Sequence, residues 1–358
     1  MFFASDNQSC ASQPVMNAIV AANQGFTHGY GDDPFTQEAI ASLKDVFECD
    51  LEVLFVPTGT AANCLALASL VQPWQTVLCH SSSHILMDES TAPEFFTGGA
   101  RMQGFAEHAG KMSAEHLQSY LADAGDDIPH NPQVAALSIA QTNELGLVYS
   151  PSEIKAISAV CKQHNLKLHM DGARFANALA HLNCSPAELT WKAGVDALSL
   201  GATKCGALCA EAVIFFNKED AKASMHLRKR AGHLISKGRL FGAQFRAWFE
   251  NNHWLELARH ANHQAQGLAQ ALALIDDVKI PWPVNANELF IILPKALADH
   301  LNAQGAEFYD WYPSTLPEGM SLSPDERYVR LVTSFLTTER HCHEFIQCIH
   351  DYQKASLR

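Results

Sequence analysis

The chain has 358 residues, 47% of them hydrophobic and 18% charged, with a formal net charge of -13. A chain of this length buries roughly three quarters of its unfolded surface, which excludes a disordered polypeptide and suits one large domain plus a smaller one. The acidic balance and the lack of a long basic stripe exclude nucleic acid as a partner, because binding a phosphate backbone needs concentrated positive charge.

The first residues, Met1–Asn7, carry neither a basic region nor an apolar core of signal length. No apolar run approaches the roughly 20 residues that span a bilayer, so no membrane partner is expected. Val53–Val56 reads as a short buried strand, ended by Pro57-Thr58-Gly59-Thr60 and followed by a small-residue helix from Ala61. Thr76–Cys79 is the next strand, broken by a polar turn at His80–His84, and Val134–Ala140 another that ends at Gln141-Thr142-Asn143-Glu144. Helical spacing over Ser152–His164 precedes a strand at Leu166–Met170 that closes on Asp171. Val195–Leu200 is a strand leading into Gly201-Ala202-Thr203-Lys204, and Ala212–Phe216 completes the set. Strand, polar end and helix repeat in this order, the pattern of a largely parallel sheet covered by helices on both faces.

Residues 222–275 are rich in Ala, Leu, His and Gln and read as long helices. Strands at Leu289–Leu293 and Tyr328–Val332 and a final amphipathic helix over His341–Gln353 point to a smaller mixed domain. The ten cysteines are scattered without paired spacing, and the eighteen histidines form no metal-binding array, so neither disulfides nor a metal is expected.

In an open parallel sheet, reactive groups collect at the carboxyl ends of the strands. Five polar groups stand there: Thr58/Gly59/Thr60, His84, Asn143/Glu144, Asp171/Arg174 and Thr203/Lys204. Thr58–Thr60 suits either an ordinary helix cap or a phosphate held by amides at a helix N-terminus. Asp171 is read as an ion pair or cap, or as the counter-ion of a protonated pyridine nitrogen that leaves Arg174 to clamp a carboxylate. Lys204 stands alone among small and apolar residues, which lowers an amine's pKa and suits imine formation; a snorkelling lysine is the plainer reading. His84 and His130 are the histidines nearest the cleft, suited to stacking on a ring or moving a proton. Arg330 either faces solvent or brings a second anion-binding guanidinium from the small domain.

Taken together, these residues resemble the threonine aldolase and beta-eliminating lyase family of fold-type I pyridoxal phosphate enzymes. The resemblance rests on Ser5-Asp6-Asn7, Gly29–Asp33, Thr58–Asn63, His84-Ile85, Asp88-Glu89, His169–Ala178 and Gly201–Lys204. It implies the fold-type I α/β fold, with a mostly parallel seven-stranded sheet in the large domain and a smaller α+β domain. It also implies an N-terminal segment over 1–30 that contributes to the site, a large cofactor-binding domain over 31–245 and a small domain over 246–358. By the same resemblance Lys204 forms the Schiff base with pyridoxal 5'-phosphate, Asp171 partners the pyridine nitrogen, and Thr58, Gly59 and Thr60 hold the phosphate. His84 stacks on the ring, His130 lies near the substrate's β-hydroxyl, the base is His84, His130 or an ordered water, and Arg174 lies among the cofactor and substrate contacts. Arg330, Ser5 and Tyr30 complete the substrate site, and Arg228–Arg230 approaches a neighbouring subunit of a cytoplasmic homodimer or homotetramer.

The activity implied is retro-aldol cleavage of L-threonine, L-allo-threonine or a related β-hydroxy-α-amino acid to glycine and an aldehyde. Gln141–Gly146 departs from the Glu-Asn-Thr-His form common in the family and looks closer to a bacterial subgroup that also accepts phenylserine. A phenylserine-preferring aldolase, a related β-eliminating lyase and an idle metabolite-binding oligomer are the alternatives.

Overall fold

The computed structural model describes residues 1–105, 110–123 and 129–356. Seven strands form the main sheet: β1 (Glu52–Val56), β2 (Gln75–His80), β3 (Arg101–Phe105), β4 (Gln133–Ala140), β5 (Lys167–Gly172), β6 (Ala197–Gly201) and β7 (Glu211–Phe215). Their spatial order is β1-β7-β6-β5-β4-β2-β3, and only β7 runs against its neighbours. Helices cover both faces, so the central strands are mostly apolar: β6 and β7 are buried at every position, with Ser199 and Glu211 their polar residues. The seven-stranded sheet and the smaller mixed domain agree with the fold expected from the sequence.

At the carboxyl end of β6 the backbone passes so close to Ala173 that a Cβ on Gly201 would lie 2.7 Å from its Cα and carbonyl oxygen. Glycine is therefore required there, and this close approach brings the ends of β5 and β6 together. The Gly59–Leu70 helix lies against the sheet through a stretch of small side chains, with Ala61, Ala62, Asn63, Cys64 and Ala66 all buried.

A second, antiparallel sheet has the order β8-β10-β9, with β8 at Glu288–Pro294, β9 at Tyr309–Asp310 and β10 at Glu326–Val332. Its core contains Leu289, Ile291, Leu293, Val329, Leu331 and Phe345, and also Phe3 from the N-terminal segment. Phe3 is fixed by its N–H to the Glu307 carbonyl and by its own carbonyl, which accepts from the Val332 N–H. The chain then continues to Ser5 and Asp6, so the N-terminus runs out of the small core toward the main sheet. Among the described residues, no helix is long and apolar enough to cross a membrane.

One helix, His253–Leu272, belongs to both cores: Trp254 and Ala258 pack in the first, Ala265, Leu268 and Leu272 in the second. Gly267 lies on its exposed face with nothing within 4 Å of where a Cβ would stand. Alanine there costs no packing and removes backbone freedom from the unfolded chain. Gly267→Ala is expected to raise stability by about 0.5–1 kcal/mol in chemical denaturation, and a loss would show strain at this turn.

Candidate active site

Lys204 lies in a single 3-10 turn, Thr203–Cys205, directly after β6. The turn is tied down on all sides. The Ala202 N–H donates to Glu211 Oε2 at 3.0 Å, the Ala210 N–H to Thr203 Oγ1 at 3.2 Å, and the Trp248 indole N–H to the Cys205 carbonyl at 2.7 Å. Part of Lys204 remains accessible, but burial first, and repulsion from Arg174 second, lower its pKa from the ordinary lysine value. Asp6, Asp171 and Glu288 oppose that shift, so all four charged groups act on this one amine. An amine held in this way is neutral more often and more nucleophilic than a surface lysine. Burial also raises the Glu211 carboxyl to about 7.

Asp171 closes β5 and is buried. The sequence left open an ion pair with Arg174, but the partners are different. Asp171 Oδ2 accepts from Asn63 Nδ2 at 2.8 Å, and Oδ1 accepts from the Ala173 N–H at 3.0 Å. Two residues earlier on the same face of β5, His169 lies between the hydroxyls of Ser138 and Ser199, and burial holds its pKa down at about 4.

Arg174 is engaged rather than free. Its Nε and Nη2 donate to the two oxygens of Asp6 at 2.7 and 3.0 Å, and Nη1 lies 3.3 Å from Glu288 Oε2. Asp6 also accepts from Asn287 Nδ2 at 3.1 Å. Burial pushes the Asp6 pKa up, but the charges of Arg174 and Lys204 and these hydrogen bonds outweigh it and keep the pKa low. A carboxylate reaching Arg174 therefore has to share this guanidinium with two acids.

The other oxygen of Glu288 lies 3.5 Å from Nη1 of Arg330, so one carboxylate bridges both arginines. The Arg330 side chain is only 14% exposed, its guanidinium stacks on Trp311 at 4.4 Å, and its buried Nε has no hydrogen-bond partner among the described residues. A buried guanidinium N–H without an acceptor is costly unless a ligand supplies one. Desolvation, the largest influence on Arg330, lowers its pKa. Ser5 stands beside this cluster as the cap of the Asp6–Gln8 turn, its Oγ accepting from the Asn7 N–H.

His84 opens the short helix His84–Met87 after β2. Its N–H donates to Glu144 Oε1 at 2.8 Å, and its ring Nδ1 lies 2.9 Å from Glu89 Oε1. The Glu89 hydrogen bond, first, raises the pKa of the imidazole, and Asp171 adds to it. Burial raises the Glu144 carboxyl to about 7. Thr58 caps the Gly59–Leu70 helix, its Oγ1 accepting from the Ala61 N–H at 3.1 Å, while Gly59 is exposed with open space above its Cα.

Two expected residues lie elsewhere in the chain. His130 is in an exposed turn before β4, and Tyr30 is exposed with Lys229 over its ring at 5.5 Å. Tyr30 lines a separate cleft with Thr36, Met225 and Arg228. Conversely, Asp6, Asn63, Glu89, Glu211 and Glu288 stand in the candidate site without having been given a role, and Glu144 had only its place at a strand end. Asp6, Asn63 and Glu89 fall inside the blocks that carry the family resemblance, whereas Glu288 had only its place before an apolar run.

A cavity of about 350 Å³ adjoins the cleft, with Glu144 and Leu145 on one side and Trp282, Trp311 and Leu316 on another. Its walls are connected to the cluster, since Glu144 holds the His84 segment and Trp311 carries the Arg330 guanidinium.

The residues fit a pyridoxal phosphate group: an amine of lowered pKa for its aldehyde, a buried carboxylate beside it, and a helix N-terminus with unobstructed glycine for its phosphate. Fold and site thus define a pyridoxal phosphate-dependent enzyme of fold type I. The sequence profile of the beta-eliminating lyase family matches residues 3–296. The low specificity L-threonine aldolase of Pseudomonas sp. (strain NCIMB 10558) is 43% identical over 87% of this chain and 90% of that protein. Its namesake in Saccharomyces cerevisiae is 27% identical over 82% of this chain and 74% of that protein. The solved Leishmania major threonine aldolase superposes with a TM-score of 0.89 at 29% identity, covering 98% of this chain and 99% of that one. The chain belongs to the beta-eliminating lyase family.

Proposed function

We propose that this enzyme cleaves threonine-like L-β-hydroxy-α-amino acids to glycine and an aldehyde. The observation that carries the reading is the convergence of Asp6, Asp171, Arg174 and Glu288 on the Lys204 amine, beside an Arg330 whose Nε lacks an acceptor. The similarity to low specificity L-threonine aldolases supports it.

Pyridoxal phosphate, when bound, supplies the electron sink for the charge left at Cα. The chain's own residues do the rest. Lys204 offers the amine, and Asp171 presents a carboxylate to the ring nitrogen. Thr58, Gly59 and Thr60 offer the helix N-terminus to the phosphate, and His84 flanks the ring. Arg330, with Ser5 nearby and Arg174 held behind Glu288, receives the substrate carboxylate and so orients the Cα–Cβ bond. When Nδ1–H of His84 is donated to Glu89, its Nε2 is left to accept the β-hydroxyl proton, and His130 is the alternative base. Tyr30 is assigned to the substrate site of an adjoining subunit, since it faces away from its own cleft.

Incubation with L-threonine, L-allo-threonine and L-phenylserine tests the reading directly. Glycine and the matching aldehyde are expected; a 2-oxo acid with ammonia would make the protein an eliminating lyase. The aromatic and apolar walls of the neighbouring cavity favour phenylserine as the better substrate. Arg330→Ala is expected to lower kcat/KM by about 10- to 100-fold, mainly through KM, the usual effect of losing a hydrogen bond to a charged group. Unchanged kinetics would remove Arg330 from the carboxylate site.

We also propose a homodimer or homotetramer with sites near the subunit interface. The segments around 20–31 and 225–236 are joined by the Tyr30 N–H to Ser236 carbonyl bond and expose Val20, Phe26, Tyr30, Met225 and Ile235. Apolar exposure on this scale marks an association surface. A cytoplasmic setting accords with ten cysteines that are all unpaired.

A further inference from the structure

The buried acid Glu89 touches neither cofactor nor substrate in the chemistry described so far, yet it stands at the centre of a hydrogen-bonded chain. Its side chain is fully buried. Oε1 takes two contacts, Asn63 Nδ2 at 2.9 Å and His84 Nδ1 at 2.9 Å, while Oε2 has no partner among the described residues. The same Asn63 Nδ2 donates to Asp171 Oδ2 at 2.8 Å. Asp171, Asn63, Glu89 and the His84 imidazole are thus linked in series, from the end of β5 through the Gly59–Leu70 helix to the segment after β2.

We propose that Glu89 is the positioning residue of this site, fixing His84 in one orientation with the proton on Nδ1 and, through Asn63, coupling its protonation to Asp171. With Glu89 ionised, the chemistry of the partners selects this tautomer. A carboxylate oxygen only accepts, so the ring nitrogen facing it must carry hydrogen, which leaves Nε2 as the atom that gains or loses a proton. Asn63 donates from one nitrogen to two carboxylates at once and so partly neutralises both. Its own Oδ1 is buried without a donor, so the amide is oriented by the acids rather than by its surroundings. The groups facing His84 from the elements around it are Glu89 after the short helix, Glu144 after β4, Asp171 on β5 and Lys204 after β6. Three of these four are acidic, and among the described residues Glu89 alone of them is within hydrogen-bond distance of the ring.

The inference rests on His84 being a proton-handling residue of the aldolase site, but its test requires no turnover and so fails or succeeds independently of that reading. The cofactor-loaded protein is labelled with 15N-histidine, and the His84 signals are assigned by their disappearance in His84→Asn. In the unaltered protein, His84 is expected to keep Nδ1 protonated at every pH and to titrate above the free-histidine value of about 6.5. Glu89→Gln preserves shape and an acceptor oxygen but removes the charge, and its His84 pKa should fall by about one pH unit or more. Asn63→Leu should act in the opposite direction, because a Glu89 without its amide donor holds the imidazolium more tightly. General structural damage would not produce two opposite shifts. A neutral His84 carrying its proton on Nε2 in the unaltered protein overturns the proposal even if neither variant folds. So does a Glu89→Gln protein whose His84 titrates as in the parent.

Discussion

Lys204→Ala should be colourless toward borohydride: the parent protein, reduced in the presence of pyridoxal phosphate, carries the cofactor on one peptide, the one containing Lys204, and the variant carries none. Turnover should drop on the order of 10^4 to 10^6-fold, the scale of losing a covalent catalyst's nucleophile. The size of the effect follows from the local construction. Glu211, Thr203 and the Trp248 indole fix the turn, so it does not shift to fill the place that the lost amine leaves. Lys204 also owes its reactivity to position, because burial and Arg174 depress its pKa where a surface lysine would remain charged. Peptide mapping that finds the reduced adduct on any other lysine would sink the assignment.

Asp171→Asn is expected to reduce kcat by about 10^2 to 10^3-fold with little change in thermal stability, as when one preorganised electrostatic group is removed from a reacting centre. The substitution is nearly isosteric. The amide oxygen can still accept from Asn63 or from the Ala173 N–H, the two donors that Asp171 satisfies. What it removes is the negative charge proposed to face the cofactor ring. A kcat equal to that of the parent would show that this carboxylate does not support the ring nitrogen. A collapse in stability would instead place its main role in the polar network that includes Asn63.

The central strands were legible because they are buried on both faces and so have nearly unbroken apolar sequence, as in Ala212–Phe215. The strand Arg101–Phe105 was not: it lies at the sheet edge, with its first residue exposed and two others half-buried, and its mixed composition has no clear period. In the site, Lys204 and Asp171 were found because a charged residue at the end of an apolar strand stands out locally. The partner of Arg174 could not be found that way. Asp6 lies 168 residues earlier, and the two meet only because Phe3 anchors the N-terminal segment in the small core. Asp171 lay near enough in sequence to suggest itself as that partner, and the fold gave it Asn63 instead.

The helix His253–Leu272 joins both cores along its twenty residues, a span of about 30 Å at 1.5 Å per residue. It therefore works as a strut. Swinging the two halves apart would require bending this rod or pulling Trp254 or Leu268 out of its packing, so a wide clamshell motion is mechanically disfavoured. Lys204 and Arg330, on either side of the cleft, are held at a set span before any amino acid arrives. Retuning which aldehyde is released is then a matter of reshaping loops such as 311–316, not of adjusting a hinge.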